Sequence, residues 1–133
     1  MSFKAIITGL VLLISFASCS KSKEQKPGPA ATIEGVWTGK FSVLSDPYNG
    51  QFSFRFKAGG ILERLDANGT KIGDGTWEFY NDNKSITGKY SVIGGSSFAI
   101  IANFDKANSK LTGTWGTGTS DYNGGYWYMN KVQ

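Results

Sequence analysis

From residue 32 onward, apolar and polar positions alternate with a period of two. Phe52, Phe54 and Phe56 alternate with Ser53, Arg55 and Lys57, and in the preceding segment Trp37, Phe41 and Val43 share one face. No window of about 11 residues carries apolar residues at helical spacing, so these segments read as half-buried strands. Turn residues punctuate them: Ala58-Gly59-Gly60, Ala67-Asn68-Gly69, Asn81-Asp82-Asn83, Gly94-Gly95, Lys106-Ala107-Asn108 and Asn123-Gly124-Gly125. Such residues reach positive φ at low steric cost. The breaks predict eight strands, near 33–44, 50–58, 60–66, 71–80, 84–93, 96–104, 109–117 and 124–132. Nearly every connection is too short for a crossover, so sequence neighbours are expected to pair antiparallel in an up-and-down meander. An open meander leaves two strand edges unpaired, and closure removes both. The expected fold is therefore all-β, with eight antiparallel strands closed into a small barrel. Eight strands enclose an interior that side chains can fill or that can hold one small ligand.

Several glycines fall inside the strands, namely Gly39, Gly73, Gly75, Gly88, Gly113 and Gly116. Two explanations stand side by side: strong strand coiling in a small barrel, and room for opposing tryptophans.

The first 31 residues follow a different pattern. Lys4 precedes an uncharged, mainly apolar run from Ala5 to Phe16, followed by Ala17-Ser18-Cys19 with the chain's single cysteine. The run is too short to span a bilayer, which takes roughly 20 apolar residues. This arrangement resembles the signal of a bacterial lipoprotein, with Phe16 standing where an aliphatic residue is usual. The resemblance implies a signal peptide over 1–18 and a lipidated Cys19 as mature N-terminus. Residues 20–31, SKSKEQKPGPAA, lack apolar periodicity and hold two of the three prolines, the composition of a flexible tether. Ser20 stands where the inner-membrane retention signal of enteric bacteria has Asp, and Lys21 and Lys23 occupy the place of an acidic surface-export run. The expected location is the outer membrane, lipid-anchored on its periplasmic side, with the cell surface as the alternative.

Charge and composition narrow the function classes. From Thr32 onward ten basic residues face nine acidic ones, so the basic balance of the whole chain comes mainly from its first 31 residues. A near-neutral domain gives no support to a nucleic-acid partner. With no histidine and one cysteine, the chain has no Cys–His pair, no intramolecular disulfide, and no imidazole or thiolate set for zinc or haem; no cofactor is expected. Asp74 and Glu78 share one strand face about 13 Å apart, too far for paired-carboxylate hydrolysis. No serine elbow is present, and an enzymatic role is not expected.

A binding role is the better expectation. A lumen built from Phe41, Phe54, Trp77, Phe79, Tyr90, Phe98, Trp115 and Trp127 is apolar and aromatic, the usual lining of a small-molecule pocket, although the same residues would also make a solid core. In Ile61-Leu62-Glu63-Arg64-Leu65-Asp66, either Glu63 or Arg64 must face the interior whichever register holds, and an interior charge is paired, ligand-facing or at the open rim. The longer connections, 42–51 with Tyr48 and 116–125 with Tyr122, are candidate surfaces for a protein partner.

Gly35-Val36-Trp37 opens the first strand, and Lys131 lies near the end of the last. This resembles the calycin superfamily of lipocalins, fatty-acid-binding proteins, avidins and some bacterial protease inhibitors. In that group a Gly-x-Trp indole closes the barrel bottom and a basic residue of the last strand lies across it. The resemblance implies barrel-closing roles for Gly35, Trp37 and Lys131, the last through a cation–π contact. Avidins share Gly-x-Trp, but Thr38-Gly39-Lys40-Phe41 occupies the place of their ligand-contacting Asn and Gly-Ser, which sets biotin aside. Gly35-Val36-Trp37-Thr38-Gly39, Gly73-Asp74-Gly75-Thr76-Trp77, Leu111-Thr112-Gly113-Thr114-Trp115-Gly116 and Gly125-Tyr126-Trp127-Tyr128-Met129-Asn130-Lys131 also resemble small lipocalin-like lipoproteins of the Bacteroidota-type envelope. That resemblance implies a fold and a compartment, and it brings no activity with it. The functional expectation is a membrane-anchored, non-catalytic binding module for a small apolar ligand. The alternative is a filled barrel that binds an envelope protein or inhibits a hydrolase, as some bacterial calycin barrels do by inserting a terminus or loop.

Overall fold

A computed structural model describes residues 32–132. The expected signal peptide, Cys19 and the tether to residue 31 lie outside the described residues. Eight strands follow in order: β1 (Gly35–Phe41), β2 (Gly50–Lys57), β3 (Ile61–Leu65), β4 (Lys71–Tyr80), β5 (Ser85–Val92), β6 (Ser97–Asp105), β7 (Lys110–Thr117) and β8 (Gly125–Lys131). Each pairs antiparallel with its sequence neighbours, and β1 pairs with β8, so the meander closes into a barrel.

Alternation sorts the side chains as the pattern requires. Phe52, Phe54 and Phe56 of β2 point inward and are buried, as are Leu62 of β3, Ile100 of β6, Leu111 of β7 and Trp127 and Met129 of β8. The rings pack mostly edge to face, for example Phe54 on Tyr90 at 5.1 Å and Phe52 on Trp127 at 5.6 Å between centroids. That geometry adds electrostatic attraction between ring edge and ring face to the burial of apolar area.

The first strand is shorter than its apolar pattern indicated. The chain leaves the ladder after Phe41: Ser42 is buried, Val43 is exposed, and Leu44 adopts a positive φ of 55°. At its other end Ile33 lies ahead of β1, buried beneath the barrel, and its carbonyl accepts from Trp37 Nε1 at 2.7 Å. Alternation persists through a bend, so the sequence pattern alone overran both ends.

The in-strand glycines answer to both expected causes. A Cβ on Gly39, Gly75 or Gly113 would lie within 2 Å of a carbonyl oxygen of the neighbouring strand, on Tyr128, Lys89 and Ile101 respectively. Those positions mark close backbone approach in a tightly coiled wall. Gly88 stands directly across from Trp77 and Gly113 across from Trp127, and a Cβ on Gly88 would meet the side chains of Ile100 and Leu62.

Candidate functional site

The two ends of the barrel differ. At the end where the chain enters, Trp37 is fully buried and packs edge-on against Phe56 and Phe104, with centroids 6.4 and 6.0 Å away. Trp77 and Phe79 belong to this half: Trp77 packs on Phe56 and Phe79 on Phe104, and Trp77 Nε1 donates to the Lys57 carbonyl at 3.0 Å. Lys131 stands opposite Trp37 in the β1–β8 register, yet the expected cation–π contact is replaced by a clasp. Its ammonium donates to the Thr32 carbonyl at 2.9 Å and to Thr32 Oγ1 at 3.3 Å, tying the last strand to the chain just ahead of the first. Among the described residues the cations over ring faces are Arg64, on Phe52 and Phe54, and Lys110, on Tyr128. Gly35, at φ 132°, turns the chain into β1 in a conformation that side chains rarely adopt.

The opposite end is open. Phe41, Phe52, Arg64, Tyr90, Val92, Phe98 and Trp115 line a cavity of about 210 Å³. Of the residues expected to form the lumen, Phe41, Arg64, Tyr90, Phe98 and Trp115 border this space. Phe54 and Trp127 do not: both are fully buried in the core, and with Trp77 and Phe79 in the far half they make the rest of the interior packed protein. Phe52 and Val92 line the cavity too, although neither is among the expected lumen residues. Both are in phase with ones that are, Phe52 with Phe54 and Val92 with Tyr90, so the period-two signal was sufficient to find them.

In β3 the interior charge is Arg64. The pairing of β3 with β4 shifts register between Arg64 and Leu65, a bulge that leaves Leu65 fully buried beside an inward-pointing arginine. Glu63 faces outward and is covered by two cations, Arg55 at 2.9 Å and Lys57 at 3.4 Å. Its hydrogen bond from Arg55 holds the Glu63 carboxyl below its ordinary range.

Arg64 is held by backbone carbonyls. Nη1 donates to Ser53 O at 3.4 Å and to Leu65 O, and Nη2 donates to Gln51 O at 3.3 Å. The guanidinium carbon lies 4.9 Å from the Phe52 ring centre and 5.8 Å from that of Phe54. Burial pushes the guanidinium below its usual pKa, an effect opposed by the neighbouring Tyr90 and more weakly by Asp66. Tyr90 is itself pushed up from 10.0 to about 12, mainly by burial and partly offset by Arg64.

That shift has a consequence for stability. Because the unfolded chain loses the tyrosine proton near its ordinary pKa while the folded chain keeps it, stability is unaffected well below pH 10.0. It then falls as pH rises toward about 12. The loss should reach about 2–3 kcal/mol at the upper end. Urea midpoints measured from neutral to strongly alkaline pH check this, since Tyr90→Phe should flatten the alkaline fall relative to the unsubstituted protein.

The two longer connections meet at this open end. Ser42 N donates to Tyr126 O at 2.8 Å, Leu44 N to Gly124 O at 2.6 Å, and Trp115 Nε1 to Ser42 O at 2.8 Å. Ser42 Oγ accepts from Tyr126 N at 3.1 Å. Ser42 is thus a latch between the β1–β2 and β7–β8 connections, and it fixes the indole that walls the cavity. Ser42→Ala removes the acceptor of the Tyr126 N–H and should cost about 1–2 kcal/mol, read from the denaturant midpoint. Around the rim Leu44, Ile93 and Tyr122 are exposed, at 64%, 70% and 74%.

Elsewhere the polar chemistry is that of a solvated surface. Asp74 is paired with Lys71 at 2.9 Å on the outside of β4. Among the described residues no group of three or more His, Cys, Asp and Glu is placed to hold a metal ion. Together these features define a small, self-closed antiparallel β-barrel with one plugged end and one open, aromatic-lined end. The chain matches no protein-family model, no curated protein and no solved structure.

Proposed function

We propose that this protein is a non-catalytic binding module that admits a small apolar ligand to the open end of its barrel. The observation that carries this reading is the cavity of about 210 Å³ whose lining is aromatic and aliphatic apart from Arg64. Its volume falls below the roughly 300–1,000 Å³ typical of drug-sized ligands, so the occupant is compact. The lipoprotein-like signal and the tether residues Ser20, Lys21 and Lys23 support an anchored envelope location, on the periplasmic side of the outer membrane. Protease shaving of intact cells tests that location, and loss of the barrel under shaving would move it to the cell surface.

Native mass spectrometry of protein purified gently from a bacterial envelope tests the ligand. A reproducible adduct that disappears on denaturation is expected, whereas a clean apo mass would overturn the small-ligand reading. In that case the second reading stands, in which the rim engages an envelope protein or hydrolase. It is favoured by Leu44, which is exposed yet held at positive φ and hydrogen-bonded through its backbone to Gly124, a rigid apolar projection of the kind that anchors interfaces.

A further inference from the structure

Resting on that reading, we propose that the ligand is a compact organic anion, with an apolar body about the size of one ring in the cavity and a single carboxylate on Arg64. Arg64 is the one charged side chain in an otherwise aromatic and aliphatic wall. Among the described residues no carboxylate lies within salt-bridge distance of it, whereas Arg55, Lys57 and Lys71 each have one. The next carboxylate along the chain, Asp66, is engaged in its own turn, accepting from Asn68 N at 2.8 Å and Thr70 N at 2.9 Å. A cation set in an apolar wall is stabilised by an anion that shares its desolvated surroundings.

The guanidinium is also preorganised for such a partner. It has five N–H donors, of which three are directed to the carbonyls of Gln51, Ser53 and Leu65, leaving donors for an incoming oxygen. Those carbonyls and the faces of Phe52 and Phe54 hold the fork in place, so little side-chain freedom is lost when an anion binds. Tyr90 neighbours the guanidinium and lines the same cavity, so its hydroxyl is a second donor on that wall. Size limits the rest of the molecule. At about 30 Å³ per water-sized group, the cavity takes about seven such groups, which suits a single substituted ring and is too little to enclose a long acyl chain.

NMR titration of the isotope-labelled protein tests this, read at the Trp115 indole N–H and the Arg64 Nε–H with phenylacetate, phenylacetamide and indole as probes. Phenylacetate is expected to bind at least about tenfold more tightly than its neutral amide, the gain typical of a charge-assisted hydrogen bond. Arg64→Met should bring that ratio to about one, whereas a merely structural role for Arg64 would weaken all three probes alike and leave the ratio as it is in the unsubstituted protein. Should Arg64→Met fail to fold, the acid-to-amide ratio of the unsubstituted protein and of Arg64→Lys decides. Equal affinity for acid and amide in the unsubstituted protein overturns the anion inference and leaves the binding-module reading standing. Absence of saturable binding by any of the three, indole included, overturns both.

Discussion

Trp37→Ala should lower the unfolding free energy by about 3–5 kcal/mol, the range for truncating a large buried aromatic. Three losses coincide at this position. The indole is fully buried, so its removal leaves a void at the plugged end. Its edge-to-face contacts with Phe56 and Phe104 disappear. The Ile33 carbonyl loses its donor, releasing the segment that Lys131 clasps through Thr32. For a domain of about a hundred residues the change amounts to a drop of more than about 12 °C in melting temperature. Trp37→Phe restores most of the volume and omits the N–H and part of the bicyclic ring, so it should recover more than half of the loss. As a reference, Tyr122→Ala on the rim should stay within about 0.5 kcal/mol of the unsubstituted protein. A cost for Trp37→Ala below about 1 kcal/mol would show that the indole does not close the barrel.

The second large effect is expected from a single added methyl. Gly113→Ala places a Cβ 1.8 Å from the Ile101 carbonyl oxygen and 2.6 Å from the Ala102 Cα, both backbone atoms of β6. Side chains relieve overlap by changing rotamer, but a strand in a closed barrel moves only if its ladder moves with it. The cost should exceed about 3 kcal/mol, beyond ordinary overpacking. Gly94→Ala is the informative contrast. Gly94 sits in the β5–β6 turn at φ 76° with nothing within 4 Å of an added Cβ, so only the backbone conformation resists substitution, at about 1 kcal/mol. Denaturant midpoints and far-UV dichroism of the two variants separate the causes, and similar costs would remove close strand approach as the reason for glycine at 113.

Much of the architecture was legible because it rests on local chemistry. Phe52, Phe54 and Phe56 announce β2 and its inward face by period alone. Asn81, Asp82 and Asn83, all at positive φ, are residue types suited to the reversal they make between β4 and β5. Short connections between strands leave antiparallel pairing as the accessible topology, and closure follows from the cost of open edges. The candidate site was legible only in part. Aromatic residues destined for the cavity and for the solid core obey the same alternation, so Trp115 and Trp127, both inward on neighbouring strands, read alike. One borders the open space and the other is buried in the core. What separates them is height along the barrel axis, which depends on strand tilt and register rather than on residue type.

The sequence by itself determined the strand count, the turns, the inward faces of clearly alternating strands such as β2 and the lack of histidine for imidazole chemistry, because each depends on residue type or on neighbours a few positions away. Only the tertiary structure decided which end is plugged and which is open. It also decided that Arg64 faces inward while Glu63 is covered outside by Arg55 and Lys57, and that Lys131 clasps Thr32 instead of lying on Trp37. Those outcomes turn on the register that pairs Arg64 with Phe54 and Glu63 with Arg55, and on contacts between residues as far apart as Thr32 and Lys131. A period-two pattern carries no information about which distant atoms closure of the barrel will bring within hydrogen-bonding distance.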